Sequence, residues 1–148
     1  MPNQEDLKTV TSILKKIPLF EELNEQDHLE IIKQITLEYF PKDHVIFKEG
    51  DQGDAMYIIK RGMVNIFHEG AVDSENKNVT VLSDNDFFGE MALIEEKPRN
   101  ATTKTIEESE IFKLNKEDFK KLISENPSMA AKISSEFLKR FKVNLASN

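Results

Sequence analysis

The chain has 148 residues, the length of one domain, and a chain of this size hides roughly 70% of its unfolded surface. Lys and Arg total 20 against 27 Asp and Glu, and the resulting net charge of −7 argues against a phosphate-backbone binder or a partner of anionic membranes. The absence of Cys excludes disulfides, thiolate zinc sites and a Cys nucleophile, and ten Phe argue against disorder.

The first zone, about residues 3–35, reads as helix. Its opening, Met1-Pro2-Asn3-Gln4-Glu5-Asp6, is too polar and acidic for a signal peptide. Leu7, Val10, Ile13, Leu14 and Ile17 recur at helical spacing, and Pro18 stops the run. Asn24 with Asp27 resembles a capping box for a second helix carrying Leu29, Ile31, Ile32 and Ile35.

From about residue 36 to 115 the period changes. Short β-branched and aromatic runs are bounded by Gly, Pro, Asp and Asn: Thr36 to Phe40, Val45 to Phe47, Met56 to Ile59, Val64 to His68, Val79 to Leu82, Thr102 to Ile106 and Ile111 to Leu114. A long polar loop, Glu69 to Asn78, lies among them. Turn signals every 8–12 residues predict an all-β sandwich or barrel, and no stretch is long enough for a βαβ crossover.

Residues 116–148 return to helix. Asn115 is placed to cap a segment with Phe119, Leu122 and Ile123 as its stripe, and Asn126-Pro127 starts another. Ala130, Ile133, Phe137, Phe141 and Leu145 run down one side of that last helix, either folding back on the barrel or forming the seam of a homodimer. No apolar run approaches the ~18 residues of a membrane span, so a soluble, cytoplasmic protein is expected.

One stretch breaks the β pattern. Between Phe87 and Thr102, Gly89 permits an unusual backbone angle, Glu90-Met91-Ala92-Leu93 are good helix formers, and Pro98 limits them to a single turn. Arg99 lies just past the Pro, where it can swing back over that turn. With 17 Lys and 3 Arg in the chain, an Arg here suggests use of the planar guanidinium fork, which grips a phosphate with two parallel bonds. Taken alone, the same Gly-Glu and Pro-Arg pairs also fit a turn with a surface ion pair.

The run Phe88-Gly89-Glu90-Met91-Ala92-Leu93 followed by Pro98-Arg99-Asn100-Ala101-Thr102 resembles the phosphate-binding cassette of the cyclic-nucleotide-binding domain family. Upstream, Glu49-Gly50-Asp51-Gln52-Gly53-Asp54-Ala55-Met56-Tyr57 and Gly62 match the family's Gly-Asp, Tyr and Gly pattern. The resemblance implies an eight-stranded antiparallel β-roll at 36–115, with its cassette at 87–102, between N-terminal helices at 1–35 and C-terminal helices at 116–148, all one domain.

By the same resemblance, Arg99 pairs with the cyclic phosphate, Glu90 accepts from the ribose 2′-hydroxyl, and backbone N–H groups near Ala92 and Ala101 complete the phosphate shell. Gly89 and Met91 contribute backbone, and Asp54 buttresses Arg99. Leu93 moves inward with the cassette, and Phe119 is its partner on the following helix. Asn100 departs from the small residue or Thr usual after the Arg; it carries both a donor and an acceptor and can touch either base or none, and cAMP is favoured over cGMP. A cap over the base falls to Phe141, Val143 or Leu145. The implied function is non-enzymatic: a cyclic nucleotide is the ligand, no metal or cofactor is needed, and an unknown protein effector responds. Nucleic acid is not an expected partner, because a DNA-reading helix-turn-helix would have to follow the last helix. The rival reading is a vacant β-roll acting as a scaffold or dimerisation module.

Overall fold

A computed structural model describes residues 2–69 and 78–146, and the side chains of 78, 79 and 140–146 lie outside the description. The chain divides into two compact units, Met1–Ile35 with Glu117–Asn148, and Thr36–Lys116.

In the helical unit, α1 spans Gln4–Leu14 and is capped by Asn3, whose side chain accepts from the Asp6 N–H at 2.8 Å. Val10, Ile13 and Leu14 form its buried face. The helix ends three residues before the expected stop. Ile17 precedes Pro18 and takes extended angles (φ −81°, ψ 116°), because the proline ring disfavours helical geometry in the residue before it. A 3₁₀ turn, Pro18–Phe20, buries Leu19 and Phe20. The Asn24–Asp27 capping box forms in both directions (2.9 and 3.1 Å) and starts α2, Glu25–Ile32.

The C-terminal helices are α3, Lys116–Ser124, and α4, Pro127–Ala146. Asn126 serves the end of α3, its Nδ2 donating to the Leu122 carbonyl at 2.8 Å. Phe119 packs on Phe20 with ring centroids 5.9 Å apart. Lys132 on α4 pairs with Asp27 at 3.0 Å. Of the apolar stripe, Ile133 is buried while Ala130 and Phe137 are partly exposed, and Met129 beside it is buried. The base-cap candidates Phe141, Val143 and Leu145 lie outside the described side chains. No described helix is long and apolar enough to cross a membrane.

The β unit contains eight strands among the described residues: β1 Thr36–Phe40, β2 Val45–Phe47, β3 Ala55–Arg61, β4 Met63–Phe67, β5 Asn78–Ser83, β6 Phe87–Phe88, β7 Thr102–Thr105 and β8 Ser109–Asn115. They form two four-stranded antiparallel sheets, ordered β1-β8-β3-β6 and β2-β7-β4-β5. Phe87–Phe88 was not expected to be a strand. It becomes one by pairing with Ile58 and Tyr57, a tertiary contact that two residues cannot announce through periodicity. Ala55, Tyr57, Ile59, Val64, Phe88 and Ile111 form the buried core, with Phe40, Ile46, Phe47, Ile66 and Leu82 packed against it. Tyr57 and Phe88 stack at 5.0 Å, and Phe47 sits 5.9 and 6.0 Å from those two rings.

Candidate functional site

The site is built where β6 ends. Gly89 takes a left-handed conformation (φ 77°), which turns the chain out of the sheet into a second 3₁₀ turn, Glu90–Leu93. A Cβ at Gly89 would lie 2.7 Å from Arg99 Nη1, so the missing side chain is the space the guanidinium occupies. Gly53 has a comparable role on the opposite side, since a Cβ there would lie 2.9 Å from the Ala92 Cβ. The Arg99 backbone is clamped to the preceding turn: its N–H donates to the Asp51 carbonyl at 2.6 Å, and its carbonyl accepts from Gly50 N–H at 2.8 Å.

Arg99 is buried, with 8% exposure. Its Nη2 donates to the Ala55 carbonyl at 2.7 Å, and Asp54 Oδ1 lies 3.7 Å away. The Asp54 side chain is 72% exposed, so solvent screens this pair and it orients the fork more than it neutralises it. The guanidinium carbon sits 4.0 Å from the centroid of the Phe47 ring, within cation–π range. Arg99 Nε is buried without a hydrogen-bond partner among the described residues. Burial lowers the Arg99 pKa, opposed by Tyr57, Asp54 and Asp51. A guanidinium nevertheless remains charged at neutral pH. Burial also pushes the Tyr57 hydroxyl up to about 12, helped by the Asp54 charge, so it is neutral there.

These groups border a cavity of about 410 Å³ lined by Gly53, Gly89, Glu90, Met91, Ala92, Glu95, Lys97, Pro98, Arg99 and Asn100. Its volume falls in the range of small-molecule sites. Six of the expected binding residues, Gly89, Glu90, Met91, Ala92, Arg99 and Asn100, therefore share one cavity. Ala101 does not line it; it is buried at the start of β7, with 5% exposure. Ala92 lines it, but its N–H already donates to the Gly89 carbonyl at 3.1 Å, because a 3₁₀ turn uses that amide internally. Leu93 is buried, and Phe119 is buried in the helical unit against Phe20.

Sequence reasoning missed Phe47, Glu95 and Lys97. Phe47 sits in a strand and reads as ordinary core, and the other two read as surface charge. Their proximity to Arg99 is set by tertiary contacts, and the one local cue was Lys97, two residues before it.

A cavity holding one buried cation with an unfilled donor, beside a carboxylate, suits an anion that also carries a hydroxyl. The family model described as the cyclic nucleotide-binding domain matches residues 37–126, a span that contains every lining residue. The chain belongs to the cyclic nucleotide-binding domain family. The chain is 33% identical over 112 residues to the cAMP-dependent protein kinase regulatory subunit of Emericella nidulans, covering 76% of this chain and 26% of that one. It is 30% identical over 119 residues to the cGMP-dependent protein kinase egl-4 of Caenorhabditis elegans, covering 80% and 15%. The regulatory domain of Toxoplasma gondii PKA, solved with cAMP, superposes with a TM-score of 0.71 at 26% identity, covering 82% of this chain and 46% of that one. The chain thus spans about a quarter or less of the length of these two curated relatives.

Proposed function

We propose that this cyclic nucleotide-binding domain is a sensor of cAMP, with Arg99 and Glu90 as its two polar anchors. The observation that carries the reading is the Arg99 guanidinium, buried with one neutral acceptor, a screened carboxylate and an unpartnered Nε. Burying a cation is unfavourable without a counter-charge, and a phosphate in the adjoining cavity supplies one. The ring phosphate of a cyclic nucleotide carries one negative charge and no donor, which suits the fork. The ribose 2′-hydroxyl is a donor, which suits the carboxylate of Glu90, a residue that lines the same cavity. Asn100, also on the cavity, carries both a donor and an acceptor for the base. The preference for cAMP draws on the cAMP named for the kinase regulatory subunit and the PKA domain, against the cGMP named for the nematode kinase. Nucleotide entry tightens the 3₁₀ turn, shifts Leu93, and changes the helices that follow β8, where an effector responds.

Calorimetric titration with cAMP and with cGMP tests this, on the wild type and on Arg99→Ala. Two charge-assisted bonds at roughly 1.5–3 kcal/mol each predict a loss of ~10²–10⁴-fold in affinity for Arg99→Ala. Undiminished binding by the variant would overturn the site. Saturation by neither nucleotide at millimolar concentration would favour the scaffold reading.

A further inference from the structure

We propose that Glu95 is a specificity-determining residue that, by engaging Lys97, matches the cavity to a phosphate of one negative charge, a reading that rests on the proposed nucleotide site. Among the described lining residues four are charged: Glu90, Glu95, Lys97 and Arg99. The two cations differ. Arg99 is buried and fixed by its bond to the Ala55 carbonyl, whereas the Lys97 side chain is 74% exposed. Lys97 Nζ lies 4.0 Å from Glu95 Oε1. Glu96, between them in sequence, faces Lys116 instead, whose Nζ stands 2.9 Å from its Oε1. The backbone beneath the pair is pinned. The Glu95 N–H donates to the Met91 carbonyl at 2.9 Å, and the Lys97 carbonyl accepts from the Gly53 N–H at 3.4 Å.

Exposed ion pairs add little to stability, so the consequence of this one lies in the charge it presents to a ligand. A cyclic phosphate is a diester with one negative charge, for which Arg99 is the counter-charge. The open-chain monophosphate left when that ring is hydrolysed is a monoester, with a charge of about −1.5 to −2 at pH 7. Its second charge needs a second cation, and Lys97 is the other one on the cavity. Glu95 competes for that ammonium and adds a negative charge of its own to the lining. Both effects fall more heavily on the monoester, because a fixed charge acts on a dianion with twice the energy it exerts on a monoanion. The two ligands share base and ribose, so the contacts proposed for Asn100 and Glu90 do not separate them. Charge does.

The probes are cAMP and 5′-AMP, with calorimetry for the first and competition against bound cAMP for the second, at low salt and neutral pH. Glu95→Gln removes the carboxylate charge and keeps the shape, and Lys97→Met removes the ammonium and keeps the stem. One exposed charge acting on one extra ligand charge changes an affinity ratio by ~1.5–5-fold. The preference for cAMP over 5′-AMP is expected to narrow by that factor in Glu95→Gln, to widen by it in Lys97→Met, and to return near the wild-type value in the double variant. The differences should vanish at ~1 M salt, where the screening length is about 3 Å. A merely structural role for either residue would not follow the salt. A preference unchanged in either folded single variant, or a change that survives high salt, overturns the charge filter and leaves the nucleotide site standing. A wild type that binds neither cAMP nor cGMP overturns the sensor reading and the filter together, and one that holds cGMP instead is put through the same comparison with 5′-GMP.

Discussion

Gly89→Ala places a methyl group where the Arg99 guanidinium lies. Two costs add. The left-handed backbone at φ 77° is unfavourable for any residue with a Cβ, by ~1–2 kcal/mol. The new Cβ would also stand 2.7 Å from Arg99 Nη1 and 3.2 Å from the Ala55 carbonyl, so the guanidinium must move. Moving it strains or breaks the 2.7 Å bond from Nη2 to Ala55, a charged hydrogen bond of ~1.5–3 kcal/mol. The sum is about 2.5–5 kcal/mol, or ~5–20 °C in melting temperature for a chain of this size. Gly50→Ala is the matched control, because its φ of 94° carries the same kind of strain while a Cβ there meets nothing within 4 Å. Urea denaturation of both variants should separate them by roughly the clash alone, about 1.5–3 kcal/mol. Nucleotide titration should show Gly89→Ala weakened by ~10–150-fold, the affinity carried by one charged hydrogen bond of ~1.5–3 kcal/mol from the displaced fork. Equal stability of the two variants, together with wild-type affinity for Gly89→Ala, would refute the close approach of Gly89 and Arg99 as the reason for the glycine.

Phe47→Leu removes the ring 4.0 Å from the Arg99 carbon. A cation–π contact of ~0.5–2 kcal/mol predicts a three- to thirtyfold loss of nucleotide affinity by calorimetry, and unchanged affinity would dismiss the ring as a support for the fork. His28 predicts a pH effect on stability. It is 3% exposed, and its pKa is lowered by burial first, with the Lys15 charge adding and a hydrogen bond with the Phe20 backbone, Asp27 and Glu25 opposing. The unfolded chain then binds more protons than the folded one, so this contribution is complete above about pH 6.5 and is lost as pH falls towards the lowered value. Urea midpoints between pH 5 and 8 should slope less in His28→Leu than in the wild type, and identical slopes would count against the assignment.

Much of the β unit was legible because its strands carry their own punctuation. Thr36–Phe40 and Val45–Phe47 begin and end where turn residues and β-branched runs place them. The Asn24–Asp27 box started α2 for a reason equally local. What failed to show was set by partners distant in sequence. Phe87–Phe88 is a strand because Tyr57 and Ile58 lie beside it, and α1 loses its last turn to the constraint of Pro18 on Ile17. Gly89, Glu90 and Arg99, which the linear motif singled out, border one cavity. Phe47, Glu95 and Lys97 were not singled out, since their meaning lies in how β2 and the cassette face Arg99. Ala92 lines the cavity as expected, yet the hydrogen bond of its amide to Gly89 depends on 3₁₀ geometry that composition does not specify.

The clamp between residues 50–53 and 97–99 has a consequence for redesign. The Gly50 and Asp51 backbone fixes the downstream anchor of the cassette, while the pairing of β6 with β3 fixes the upstream one. Between these two anchors the chain is also held by the buried Leu93 and by Ala92 against Gly53. Insertions there would break the 3₁₀ turn and unseat Leu93, whereas exchanges of the cavity-facing side chains leave both in place. The lining of the cavity at Glu90, Met91 and Asn100 can therefore be exchanged while the strands that carry it stay paired.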